Sequence, residues 1–212
     1  MTPFVTTLNN SSLFIKLIWV VVVLVALFAG FRGEWGTVFS SLLTVMLVFY
    51  TSHVDQNYDI HVPRVAVIAI VLFLVGSLFL GEVFDFYERF WFWDVLLHCI
   101  SAAGFALIAG IYMIVLFGKE STNASPRVIA FFALCVAVAI GAVWEIFEFA
   151  MDQLFGLNMQ KSGLVDTMWD LIIDTGGAMV AAISVYVYLV YKKPMDPLSE
   201  IIDEAVKGNS EG

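Results

Sequence analysis

Basic residues are the scarcest feature of this chain: Lys and Arg together number 10, against 19 Asp and Glu, for a formal net charge of −9. Nucleic-acid binding needs a basic face, and a polybasic anchor on a lipid surface needs a basic cluster. The sequence supplies neither. Charge of either sign is thin, at 14% of residues, where a soluble domain carries about a quarter. Cysteine is nearly absent. Cys99 and Cys135 lie in apolar runs and read as reduced packing residues, which argues against a disulfide framework. No polar stretch is long enough for a sizeable soluble domain.

Apolar sequence is what the chain has in excess. Hydrophobic residues make up 61% and the mean hydropathy is +0.92. They fall in long blocks, the mark of membrane-spanning helices. The blocks cover residues 13–30, 36–53, 65–83, 95–117, 128–155 and 165–191. The first is long for a signal-peptide core, carries Lys16 early and lacks a small-x-small cleavage site, so it reads as a helix. Gly33 and Gly36 mark a turn, and Pro63 suits the start of a helix. Residues 84–94, FDFYERFWFWD, mix aromatics with charge and read as an interfacial belt. Gly104 and Gly110, with Ala102, Ala103, Ala106 and Ala109, permit close helix packing. The expected fold class is all-α: a polytopic membrane helix bundle of about six transmembrane helices. One domain is expected over residues 1–191, with an acidic cytoplasmic tail over 192–212.

Six spans put both termini on one side. That side holds Lys16, Arg64, Lys119, Arg127, Lys192, Lys193 and Lys207; the other holds Arg32, Arg89 and Lys161. Basic residues concentrate on the cytoplasmic side. The expectation is a multi-pass protein of the cell membrane with cytoplasmic termini.

Against this background residues 144–174, WEIFEFAMDQLFGLNMQKSGLVDTMWDLIID, stand out. An ionised side chain near a bilayer centre costs roughly 3 kcal/mol on insertion scales, so such groups turn inward and find a partner. Glu145, Glu148 and Asp152 are spaced i, i+3, i+7; Asp166, Asp170 and Asp174 are spaced i, i+4, i+8. Each set shares one helical face. Asp94 and His98, at i, i+4, share a face of the fourth span and enter from the same end. Like charges at these spacings repel, so either protons remain on several carboxylates or a metal neutralises them. The expected metal ligands are Asp94, His98, Glu145, Glu148, Asp170 and Asp174. His98 and Glu148 are the candidate catalytic acid–base groups. One His among carboxylates suits Zn²⁺, Mn²⁺ or Fe²⁺, and carboxylates alone suit Mg²⁺ or Ca²⁺. The spacing matches no dedicated metal motif such as HExxH. The intervening hairpin is expected to fold inward with Lys161 as a counter-ion.

Three blocks also carry a resemblance. WDVLLHCISAAGFAL (93–107), AVWEIFEFAMDQLFGLNMQ (142–160) and DTMWDLIIDTGGA (166–178) resemble the YjdF-like bacterial and archaeal membrane proteins. That resemblance implies architecture more than an activity. A looser similarity is to VanZ-like membrane proteins, associated with low-level teicoplanin resistance. Glu145, Glu148, Asp170, Asp174 and Gly177 occupy comparable places in that pattern. Glu148 and Asp174 put acids where it has amides, which makes this site more negative.

Three functions are compatible with these residues. One is a divalent-cation site in the outer leaflet that binds or modifies an envelope lipid, with membrane lipid as partner. Another is an ion or proton-coupled transporter, although the sequence has no inverted repeat and its acids crowd one leaflet. The third is a structural or accessory membrane protein, and a homo-oligomer fits any of the three. The aspartate ladder at Asp166 lacks the Gly-x2-Ala-Arg of CDP-alcohol phosphotransferases, so that reaction is not expected.

Overall fold

The computed structural model describes residues 13–57, 63–119, 124–156 and 158–210. All the elements among them are helical. They are α1 (Leu13–Arg32), α2 (Trp35–Asn57), α3 (Arg64–Leu74), which continues as a π-helix (Val75–Val83), α4 (Phe86–Arg89), α5 (Trp93–Lys119), α6 (Pro126–Phe155), α7 (Leu164–Tyr191) and α8 (Pro197–Ser210). Five of these helical runs are long and apolar enough to cross a membrane, and a sixth apolar stretch, Trp35–Tyr50, is shorter. The expected all-α fold is the observed one. The helix ends lie within two residues of the apolar blocks, except that α2 continues to Asn57. The chain forms two compact units, Met1–Trp93 and Asp94–Gly212.

In the first unit α1 and α2 form a helical hairpin. Gly33 makes the turn at φ 76°, a conformation that glycine adopts without strain. Ile15, Trp19, Val48 and Val71 are buried together, and the Trp19 and Phe49 rings lie 6.2 Å apart. The sequence predicts one continuous α-helical span over 65–83, but its second half is wound as a π-helix. A widened turn loosens the backbone ladder and presents a carbonyl to other donors. Here the Trp93 indole N–H donates to the Gly76 carbonyl at 3.1 Å. Gly81 faces the Tyr87 ring, where a Cβ would collide. Phe86 makes edge-to-face contacts with Phe90 and Trp93, so the aromatic segment is a packed cluster around α4.

The second unit is built from α5, α6, α7 and α8. Ser125 caps α6, with Pro126 in its first turn, and Gly156 ends it in the left-handed conformation. The buried face of α6 carries Ile129, Ala133, Ala137, Glu145 and Glu148. That of α7 carries Asp170, Asp174, Gly177, Ala178, Ala181 and Val185. On α5 the buried positions include Leu97, His98, Ala102, Ala106 and Ala109. On all three helices one face is small and apolar for most of its length and turns polar at the same end. Small residues bring the backbones close. A Cβ on Gly177 would strike the Cys99 carbonyl, and one on Gly110 would sit 2.7 Å from Val185 Cγ2. α7 is therefore held tightly against α5, with Gly177 beside the acidic end.

Beyond Lys192, α8 docks on this unit. Ile202 and Ala205 are buried, and the Tyr188 hydroxyl donates to Asp203 Oδ1 at 3.2 Å. Asp196 Oδ1 caps its start, accepting from the Leu198 and Ser199 amides at 3.0 Å each.

Candidate metal centre

The site lies where α5 and α7 begin and α6 ends. Among the described residues Asp94, His98 and Asp170 form a group whose donor atoms all lie within 4.8 Å of one another. Ligands about 2.1 Å from a metal stand at most about 4.2 Å apart. Three donors on one ion cannot all reach that limit and stand about 3.0–3.6 Å apart, so the group would close around an ion only with side-chain shifts on the order of an ångström. His98 and Asp170 are buried, whereas the Asp94 side chain is 24% exposed.

His98 is held from both sides. Its Nδ1 lies 3.1 Å from Asp174 Oδ1, and its Nε2 lies 3.8 Å from Asp94 Oδ1. An ionised carboxylate only accepts, so Nδ1–H donates to Asp174, and Nε2 is the ring nitrogen that faces Asp94. A carboxylate behind a histidine, fixing its tautomer and aim, is the usual outer partner of a metal-bound imidazole. Asp174 is 2% exposed. It fits there because α6 carries Gly141 opposite, where a Cβ would collide with Asp174 Oδ2.

The α6 carboxylates flank this group. Glu148 is 8% exposed, and one of its oxygens accepts from the Trp144 indole at 2.9 Å. Glu145 is 3% exposed, and among the described residues neither of its carboxylate oxygens has a hydrogen-bond partner at full geometry. The Thr167 hydroxyl, which accepts from Gln160 Nε2 at 2.6 Å, is the polar side chain that neighbours Glu145 on α7. Glu145 lies within electrostatic reach of His98, Asp170 and Asp174, so it belongs to the same cluster. A buried carboxylate with no partner is costly, and such groups are normally paired or hold a cation.

The expected ligands thus separate by geometry. Asp94, His98 and Asp170 converge, Asp174 backs His98, and Glu145 and Glu148 line the side formed by α6. Asp152 turns away and accepts the Met159 amide at 2.7 Å and the Gln160 amide at 3.0 Å. Asp166 lies beside Lys161. Lys161 Nζ stands 3.9 Å from Asp94 Oδ2, so the hairpin does bring its cation to the acids. The sequence reading missed Gly141 and Trp144. The i, i+4 spacing of Trp144 and Glu148 was visible, and the Ala133, Ala137, Gly141, Glu145 ladder places Gly141 on the buried face.

Fold and site together define a polytopic membrane protein with a buried acidic and histidine cluster. The chain belongs to a family described as predicted membrane protein (DUF2238), whose pattern matches residues 14–191. This is the YjdF-like family whose motifs the sequence resembles. A Thermotoga maritima relative, named only as an uncharacterized protein, is 34% identical over 119 residues, or 54% of this chain and 60% of that protein. The matched segment thus spans less than two thirds of that relative's length. No solved structure matches the chain.

Proposed function

We propose that this protein binds a divalent cation within the membrane and presents it to the phosphate of an envelope lipid. Asp94, His98 Nε2 and Asp170 are the primary ligands, with Glu145 completing the shell and Glu148 beside it. The observation that carries the reading is Glu145: 3% exposed, with no full-geometry hydrogen bond to either oxygen among the described residues, beside three converging donors. An imidazole among carboxylates favours Mn²⁺ or Zn²⁺ over Mg²⁺ or Ca²⁺.

The distribution of basic residues supports cytoplasmic termini in the cell membrane, which puts this end of α5, α6 and α7 in the outer leaflet. A lipid reading draws support from Trp144. It is 46% exposed on the outside of α6 while its indole reaches Glu148, so one side chain separates the acids from the lipid phase. A bound cation there would neutralise a phosphate oxygen. Both His98 nitrogens are engaged in this arrangement, which leaves Glu148 as the general base for any hydrolytic step.

Metal content of the purified detergent-solubilised protein tests this. Near-stoichiometric Mn²⁺ or Zn²⁺ in the wild type, lost in an Asp170→Asn/Glu148→Gln variant, is the expected result. No metal after incubation with each ion would remove the reading.

A further inference from the structure

The hairpin between α6 and α7 is pinned by several polar contacts. Asp152 accepts two of its backbone amides, at 2.7 and 3.0 Å, and Gln160 Nε2 donates to the Thr167 hydroxyl at 2.6 Å. Gly156 and Gly163, at φ 67° and 63°, make its two turns. The result is the placement of one cation. Lys161 Nζ lies 3.9 Å from Asp94 Oδ2, with its side chain 30% exposed, and Asp166 is also within its electrostatic reach. Asp94 thus divides its carboxylate. Oδ1 faces His98 Nε2 and the converging donors, and Oδ2 faces the lysine.

We infer that Lys161 is a tethered counter-cation of this site that sets its preference for divalent over monovalent ions; the inference rests on the cation-binding reading above. A separation of 3.9 Å is an ion-pair distance. A charge-assisted hydrogen bond measures about 2.7–2.9 Å. At Asp94 the ammonium is therefore an ion-pair partner rather than a hydrogen-bond donor, and its flexible stem lets it move off that carboxylate. An incoming ion must take Asp94 over from a charge of +1. A monovalent ion exchanges like for like and surrenders its hydration, so it gains nothing. A divalent ion adds one net positive charge to a cluster that contains Asp94, Asp170, Glu145, Glu148 and Asp174. Removing the lysine therefore tightens divalent binding and opens the site to monovalent ions.

The test is a Mn²⁺ titration of the full chain in phosphatidylcholine nanodiscs, with free Mn²⁺ read by electron paramagnetic resonance. Each titration is run in NaCl and in choline chloride of equal ionic strength, since choline is too large for the site. The expected Lys161→Gln result is Mn²⁺ binding about tenfold tighter than wild type, the scale of losing one partly screened unit charge. Its binding should also weaken several-fold in NaCl relative to choline. The wild type and Lys161→Arg should ignore that exchange. Lys161→Gln binding equal to or weaker than wild type, or indifferent to Na⁺, overturns the inference. Asp152→Ala supplies the second arm by loosening the tether while keeping the lysine. Tighter Mn²⁺ binding in it supports the inference, and unchanged or weaker binding overturns it, whether or not Lys161→Gln folds. The cation site itself fails by a different pattern: no saturable Mn²⁺ binding in any of these proteins, or full binding in Asp170→Asn.

Discussion

Asp174 Oδ1 lies 3.1 Å from His98 Nδ1, joining α7 to α5 across 76 residues of chain. This pair aims the other imidazole nitrogen at Asp94, so Asp174 acts on the site through His98. Replacing it by Asn keeps the shape but removes the charge that fixes the tautomer. Loss of an outer-shell carboxylate costs about 10–100-fold in metal affinity. Asp174→Asn is expected to weaken Mn²⁺ binding within that range, measured by equilibrium titration, while Asp170→Asn abolishes it.

Gly141 makes room for that pair. A Cβ there would collide with Asp174 Oδ2, whereas among the described residues Gly104 and Gly176 have nothing within 4 Å of the same position. Overpacking typically costs about 1–3 kcal/mol. Gly141→Ala should lower the detergent melting temperature and weaken metal binding together. Gly104→Ala and Gly176→Ala should leave both near wild type.

Glu145 is buried with no full-geometry hydrogen bond among the described residues, so on the cation-binding proposal its ionised form is a burden while the site is empty. Removing the charge relieves that cost. Glu145→Gln is therefore expected to melt higher than wild type in chelator and to gain less stability on adding Mn²⁺. Differential scanning fluorimetry with and without EDTA reads both effects. A lower melting temperature in chelator would show that the ionised carboxylate is satisfied by other means.

The two amide hydrogen bonds to Asp152 hold the hairpin over the site. Hydrogen bonds to a charged group contribute about 1.5–3 kcal/mol each when buried, and less here because Asp152 is only part-buried. Asp152→Ala should raise hydrogen exchange at residues 158–163 while leaving the exchange of α5 unchanged.

Helical periodicity made much of this legible. The i, i+4 spacing of Asp94 and His98, and the i, i+4, i+8 spacing of Asp166, Asp170 and Asp174, fixed which acids share a face. The long apolar runs fixed the helices. Gly110 was readable as a point of close approach, and it packs against Val185. Spacing carries no information across helices. It could not show that Asp174 would take one nitrogen of His98, or that Asp152 would turn from its own face to the hairpin backbone. Nor could it show the π-helical winding at Val75–Val83, since the apolar pattern of a wide helix differs little from that of an α-helix over nine residues. Gly141 was hidden for a related reason, because its role lies in the space it leaves for a side chain on another helix.

The central claim is that His98 presents Nε2 to a bound divalent cation. Pulsed electron paramagnetic resonance on the Mn²⁺-loaded protein tests it most directly. The account predicts modulation from one imidazole nitrogen in the wild type and its loss in His98→Gln. Bound Mn²⁺ without nitrogen modulation, or modulation that survives His98→Gln, would contradict it.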